Sequence, residues 1–284
     1  MAVTKGNVLV TGASTGIGKA CALHLSELGM RVFAGVRKEE DGQDLHDAAC
    51  GRLEAVILDV TREEHIAAAI EKIDAETGVE GLQGIVNNAG IAVAGPLEYL
   101  PIAEFRRQME VNVCAQVGVT QAFLPLLRRG AGRIVFMGST SGFFAVPFVG
   151  AYGASKYALE GLADSWRAEL RPFGLHVALI QPGAIATPIW DKSRDHAQKL
   201  KSQFPAEVEE RYGKRLDALR KEVDRTAATA TPPERVAECV AHALTAKRPK
   251  VRYRVGKTAR LQYFISRWVP DRLRDALLEK MLVV

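Results

Sequence analysis

The segment VLVTGASTGIGKACALHL, Val8 to Leu25, decides the fold. A β-branched apolar run leads into a glycine-rich turn, and apolar residues at helical spacing follow, so the segment reads strand, turn, helix. Gly12, Gly16 and Gly18 give the spacing GxxxGxG. Glycines there let the backbone bend tightly and approach a ligand, and the N–H groups opening the helix carry partial positive charge. In this position a pyrophosphate-binding turn is favoured over a purely structural one.

Moving outward, apolar runs of strand length recur: NVLVT (7–11), RVFAGV (31–36), LEAVILDV (53–60), GIVNNAG (84–90), RIVFMGS (133–139) and HVALIQPG (176–183). They are largely free of charge, as strands buried on both faces are. Helix-like stretches lie between them at 17–28, 62–77, 102–128 and 152–171. Such alternation predicts an α/β fold, a parallel sheet of about seven strands with helices on both faces. No linker or repeat divides residues 1–284, so a single domain is expected. Within 188–230, Leu200, Phe204, Val208, Tyr212, Leu216, Leu219 and Val223 recur at three and four, broken near Pro205. They form one apolar stripe, which either closes over a site as a substrate lid or packs on the sheet edge. TPPERVAECVAHAL (231–244) reads as a helix with proline near its start, RYRVG as a last short strand, and 259–284 as a helical tail interrupted at Pro270.

Of the 284 residues, 48% are hydrophobic and 25% charged, and mean hydropathy is near zero, the profile of a soluble globular chain. Net charge is +5, and basic residues concentrate in KRPKVRYRVGKTAR (247–260). This suits an anionic ligand, and no nucleic-acid motif accompanies it; an anionic membrane or an acidic substrate tail could meet the patch, and a solvated face is the favoured explanation. The four cysteines lack metal spacing, so reduced thiols, no metal and a cytoplasmic location are expected. Neither a signal peptide nor a transmembrane segment is expected.

At the end of the second strand the chain reads AGVRKEE. An acid there would bind the ribose hydroxyls of NAD; Arg37 and Lys38 instead suit the extra phosphate of NADP. The alternative is that one or both are surface charges. Arg37 is favoured as the phosphate contact, NADP(H) as the cofactor, and NAD stays open.

TGASTGIG (11–18), LDVT (58–61), NNAG (87–90), VN (111–112), GSTSG (138–142), YGASK (152–156) and PGAIAT (182–187) follow one another in order. This series resembles the short-chain dehydrogenase/reductase family over residues 5–190, and the tail resembles its hydroxysteroid and retinol dehydrogenase-like members. The resemblance implies that the sheet is doubly wound, of Rossmann type, and that hydride passes between a nicotinamide and a carbonyl/alcohol pair. It assigns catalysis to Asn112, Ser139, Tyr152 and Lys156. It assigns cofactor contacts to Gly12, Ser14, Thr15, Gly16, Ile17, Gly18, Asp59, Val60, Asn87, Asn88, Ala89, Gly90, Tyr152, Lys156, Pro182, Gly183, Ile185 and Thr187. It also implies a homodimer or homotetramer. A free tyrosine is too basic to act as a base at neutral pH, so Lys156, one turn along, is expected to lower the Tyr152 pKa. Asn112 would hold a water linking Lys156 to solvent, or simply satisfy backbone groups inside its helix; Asp59 would flank the adenine, or cap the next helix.

FFAVPFV (143–149) lies between Ser139 and Tyr152. It packs as core or walls a pocket, and Ser141, Ala145, Val146, Phe148, Val149 and Trp190 are the candidate substrate contacts. Two apolar surfaces face to face favour a bulky hydrophobic alcohol, ketone or aldehyde. A dinucleotide-sensing protein without turnover, a nucleotide-sugar epimerase and a nucleic-acid binder are weaker alternatives, because a sensor has no use for a phenol beside a lysine.

Overall fold

A computed structural model of the chain describes residues 6–282. The order of elements is β1 (Asn7–Val10), α1 (Gly16–Glu27), β2 (Arg31–Val36), α2 (Glu39–Ala48), β3 (Leu53–Ile57), α3 (Glu63–Thr77), β4 (Gly84–Asn87), α4 (Ile102–Met109), α5 (Ala115–Arg129), β5 (Arg133–Met137), α6 (Gly150–Leu170) and β6 (His176–Pro182). Then come α7 (Ile189–Lys201), α8 (Glu207–Ala228), α9 (Glu234–Thr245), β7 (Arg252–Val255), α10 (Ala259–Trp268) and α11 (Asp271–Leu282).

All seven strands pair in parallel, in the order β3-β2-β1-β4-β5-β6-β7. Side chains alternate between the two faces of a strand, and so do the two cores. Val8, Val10, Val32, Ala34 and Val86 meet Cys21 and Leu25 of α1 and Val236 and Val240 of α9. Leu9, Phe33, Ile85, Ile134 and Phe136 meet Ile73 of α3, Phe123 of α5 and Leu159 of α6. This two-faced burial is why the strands read as unbroken apolar runs. Strand order reverses between β1 and β4, which opens a crevice beyond their carboxyl ends, where doubly wound sheets bind ligands.

The doubly wound sheet agrees with the sequence reading, and two local features differ. Helix α2 joins β2 to β3 in a polar stretch where no helix was expected. The helix expected over 102–128 is interrupted by a π-helical turn at Glu110–Cys114, between α4 and α5. The extra residue in that turn rotates the side chains after it without disturbing the apolar pattern on either side.

Residues 187–230 leave the sheet and return to it at one point. Thr231 N donates to Ala184 O at 2.9 Å, and Ala186 N donates to Thr231 O at 3.0 Å. Helices α7 and α8 thus form an insert whose two ends are fastened together at the carboxyl end of β6.

Candidate active site

The glycine turn is held from β4. Thr11 Oγ1 accepts from the amides of Asn88 and Ala89, both at 3.0 Å, and the Asn88 amide donates to the carbonyls of Thr11 and Gly12 at 2.9 and 3.1 Å. Gly12 and Gly16 have φ of +63° and +59°, values that side chains disfavour. A Cβ at Gly18 would lie 2.1 Å from Gly12 O, and one at Gly16 would lie 3.1 Å from Thr187 Cβ. No side chain caps α1 at Thr15, and its first turn carries no acid. The orphan amides of Gly16, Ile17 and Gly18 thus open beside Ser14 and Thr15 with their positive end uncompensated, a cradle that fits a pyrophosphate.

Arg37 and Lys38 are both exposed at the carboxyl end of β2. Asp59 follows β3. Partial burial pushes its carboxyl up, but hydrogen bonds from Thr61 N and Oγ1 and the charge of Arg37 outweigh that and hold it low. Asp59 also shapes the entry to α3, because its carbonyl accepts from Arg62 N at 3.1 Å. Val60 is buried in the core beside it. Asn87 is buried and donates to Thr120 Oγ1 at 2.9 Å, while its own Oδ1 has no partner among the described residues.

Asn112 sits in the π turn, fully buried. Its Oδ1 accepts from Ile91 N at 2.9 Å, and its Nδ2 donates to Ile91 O at 3.0 Å and lies 3.1 Å from Ser155 Oγ. Ser155 Oγ in turn donates to Tyr152 O at 2.7 Å. Asn112 thereby joins the loop after Gly90 to the helix that carries Tyr152 and Lys156. Ser155 lies inside the YGASK motif but was not among the expected site residues.

Tyr152 and Lys156 lie one turn apart on α6, with Lys156 Nζ 5.6 Å from the Tyr152 ring centre. Lys156 is buried and donates to Met137 O at 2.7 Å; burial lowers its pKa to about 8. Burial raises the Tyr152 pKa, and a hydrogen bond with Ser139 opposes the rise. This differs from the expected lowering: in the protein alone, desolvation of the phenolate dominates and the phenol keeps its proton. Ser139 Oγ accepts from Ser141 N at 3.1 Å, which fixes the hydroxyl at the end of β5.

Pro182 ends β6, and Gly183 N donates to Val255 O at 2.8 Å. Ile185 is buried in the core, and its carbonyl accepts from Trp190 Nε1 at 2.7 Å. Thr187 rests against Gly16, so the α7–α8 insert starts on the glycine turn itself. Lys192 of α7 extends the contact, with Nζ 3.3 Å from Thr15 Oγ1. Sequence reasoning missed Lys192, whose partner lies 177 residues away.

Helices α7 and α8 and the chain around Ala94–Pro96 line a cavity of about 620 Å³. Phe204, Val208, Leu216, Leu219 and Val223 of the predicted stripe line it, so the stripe faces a cavity and not the sheet edge. Of the candidate substrate contacts, Phe148, Val149 and Trp190 line it; Ser141, Ala145 and Val146 do not. Phe143 turns the other way and meets Tyr263 of α10 edge to face at 5.4 Å. Phe148 has φ of +66°, a strained backbone for a bulky residue, and stacks edge to face on Tyr212 of α8 at 5.8 Å. Polar ties hold the insert to the body: Tyr212 Oη to Glu98 at 2.6 Å, Tyr99 Oη to Glu207 at 2.8 Å, and His196 to Glu104 at 2.8 Å.

A family model described as short chain dehydrogenase matches residues 6–198. The chain belongs to the short-chain dehydrogenase family. It is 38% identical over 282 residues to retinol dehydrogenase 16 of Mus musculus, covering 95% of this chain and 87% of that one. It is 36% identical over 279 residues to the NADPH-dependent 3-dehydrocapnine reductase of Ornithobacterium rhinotracheale, covering 96% of each. Among solved structures, a short-chain dehydrogenase from Streptomyces avermitilis superposes with a TM-score of 0.78 at 28% identity, over 98% of this chain and 97% of that one.

Proposed function

We propose that the protein is an NADP(H)-dependent oxidoreductase acting on a lipophilic carbonyl or alcohol, with α7–α8 as its substrate lid. The observation that carries this reading is a protonated phenol hydrogen-bonded to Ser139 and close to the buried Lys156, on a helix whose preceding residues Phe148 and Val149 line an apolar cavity. The relatives support it: one is named for retinol, another for NADPH.

The cradle of Gly12, Gly16 and Gly18 would hold the pyrophosphate, Arg37 the 2′-phosphate, and Thr187 the nicotinamide end. A bound nicotinamide supplies or accepts the hydride. Ser139 then donates a hydrogen bond to the substrate oxygen and fixes its position. Tyr152, which keeps its proton at neutral pH, delivers that proton to the same oxygen during reduction. Lys156 places positive charge behind the phenol and eases loss of the proton, while Asn112 and Ser155 hold the helical turn that carries both. In oxidation the roles reverse, and the phenol must first ionise. The raised Tyr152 pKa favours reduction near neutral pH.

Titration with NADPH and NADH, followed by nicotinamide fluorescence, tests the cofactor. Wild-type protein should bind NADPH the tighter, and Arg37→Asp should bring the two affinities together or reverse them. An unchanged ratio would move Arg37 to the solvated surface and remove the argument for NADP.

A further inference from the structure

The last two helices carry an apolar face that nothing among the described residues covers. Leu261, Phe264 and Trp268 of α10 and Leu273 and Leu277 of α11 are 55% to 71% exposed. Spacings of three and four put the first three on one face of α10 and the last two on one face of α11. The inner side of α10 is satisfied: Ala259 is buried, Tyr263 meets Phe143, and Arg254 stacks over the Tyr263 ring at 3.5 Å. So α10 is a packed helix with its large apolar groups pointing outward, the reverse of a helix serving the core.

Charge identifies the occupant. Between Lys247 and Lys280 the sequence has eleven lysines and arginines and three acids. The whole chain has 38 and 33, so everything else together carries an excess of acid. Arg252 is neutralised by Glu160 and Asp164, and Arg274 by Asp271. Arg260 and Arg267 stand exposed on α10 beside the apolar face, and that helix carries no acid; on α11 Arg272 and Lys280 are exposed beside Asp275 and Glu279, so the unbalanced positive charge lies on α10. A second copy laid with α10 against α10 would bring two basic helices together. An anionic lipid surface satisfies both halves: acyl chains accept Leu, Phe and Trp, and headgroups accept the guanidinium and ammonium groups. Among the described residues no helix is long and apolar enough to cross a membrane, so the contact is peripheral.

We propose that the α10–α11 face docks on an anionic membrane surface. Its position ties docking to the site, since α10 packs on the turn after Ser139 and α11 packs on α8 of the insert. The inference rests on exposure and charge and stands apart from the activity proposed above.

Co-sedimentation of the full chain with vesicles tests it, using phosphatidylcholine alone and phosphatidylcholine mixed with phosphatidylserine. Wild-type protein should sediment with the mixed vesicles, and raised salt should release it. Phe264→Glu combined with Trp268→Glu should weaken partitioning about tenfold or more, while helix content and NADPH binding stay as in the wild type. Should that variant lose its fold, Arg260→Glu with Arg267→Glu removes no apolar group and should give the same loss. No association of the wild type with mixed vesicles would overturn the proposal. So would equal binding by a folded variant, or self-association through this face without vesicle binding, which would assign it to a second copy.

Discussion

The row of side chains at the end of the sheet and the α7–α8 insert beside it are built in opposite ways. Asn112, Ser139, Ser155 and Lys156 are buried, and short hydrogen bonds to backbone atoms tie them down. The insert is held by exposed or half-exposed pairs, Tyr212–Glu98, Tyr99–Glu207 and His196–Glu104, and by edge-to-face rings. Solvated pairs of that kind contribute little individually, whereas a buried polar network resists displacement. On the proposed function, the first region holds the proton donor in place and the second serves as the substrate lid. Damage to the first should therefore strike turnover, and damage to the second should strike substrate affinity.

The largest effect should come from Tyr152→Phe. Removal of its hydroxyl should lower kcat by about 10²–10⁴-fold, with cofactor affinity nearly unchanged in a fluorescence titration. Equal loss of both would show that the phenol is structural.

Lys156→Met sharpens the contrast from the stability side. The ammonium is buried with a pKa near 8, below its ordinary value, so its charge destabilises the folded protein. The penalty is full below about pH 8 and fades as pH rises toward the unfolded lysine value. The variant should therefore lose turnover yet resist urea better by about 2–3 kcal/mol at neutral pH, less the lost bond to Met137 O, with the advantage shrinking at alkaline pH. Urea midpoints across that pH range read this directly; a destabilised variant would show that the hydrogen bond outweighs the desolvation.

Tyr212→Phe should do least. It keeps the ring against Phe148 and removes the tie to Glu98, so KM for an apolar substrate should rise about threefold with kcat intact. A matching fall in kcat would mean that the insert helps to set the proton-transfer geometry.

The same two regions differ in how far the sequence reveals them. Tyr152 and Lys156 sit on one helix, and Gly12, Gly16 and Gly18 on one turn, so local spacing alone brought each set together. Strands buried on both faces announce themselves as apolar runs. Helix α2 was missed because only Gly42 and Leu45 of its polar sequence are buried, leaving almost no periodic signal. The π turn at Glu110–Cys114 was missed because one extra residue leaves the apolar rhythm of its neighbours intact. The contacts of Glu98 with Tyr212 and of Lys192 with Thr15 join residues more than 100 positions apart, and no local pattern encodes them. In the tail, periodicity revealed the helices, but the outward direction of Leu261, Phe264 and Trp268 needed the fold.

The most direct test of the central claim, fixed chemistry beside an apolar cavity, is kcat/KM for NADPH-dependent reduction across straight-chain aldehydes of increasing length. Each methylene buried against the insert contributes about 0.8 kcal/mol, roughly fourfold in kcat/KM. The account predicts a steep rise with chain length until the cavity is filled, abolished throughout by Tyr152→Phe. A flat series, or a preference for short polar aldehydes, would contradict it.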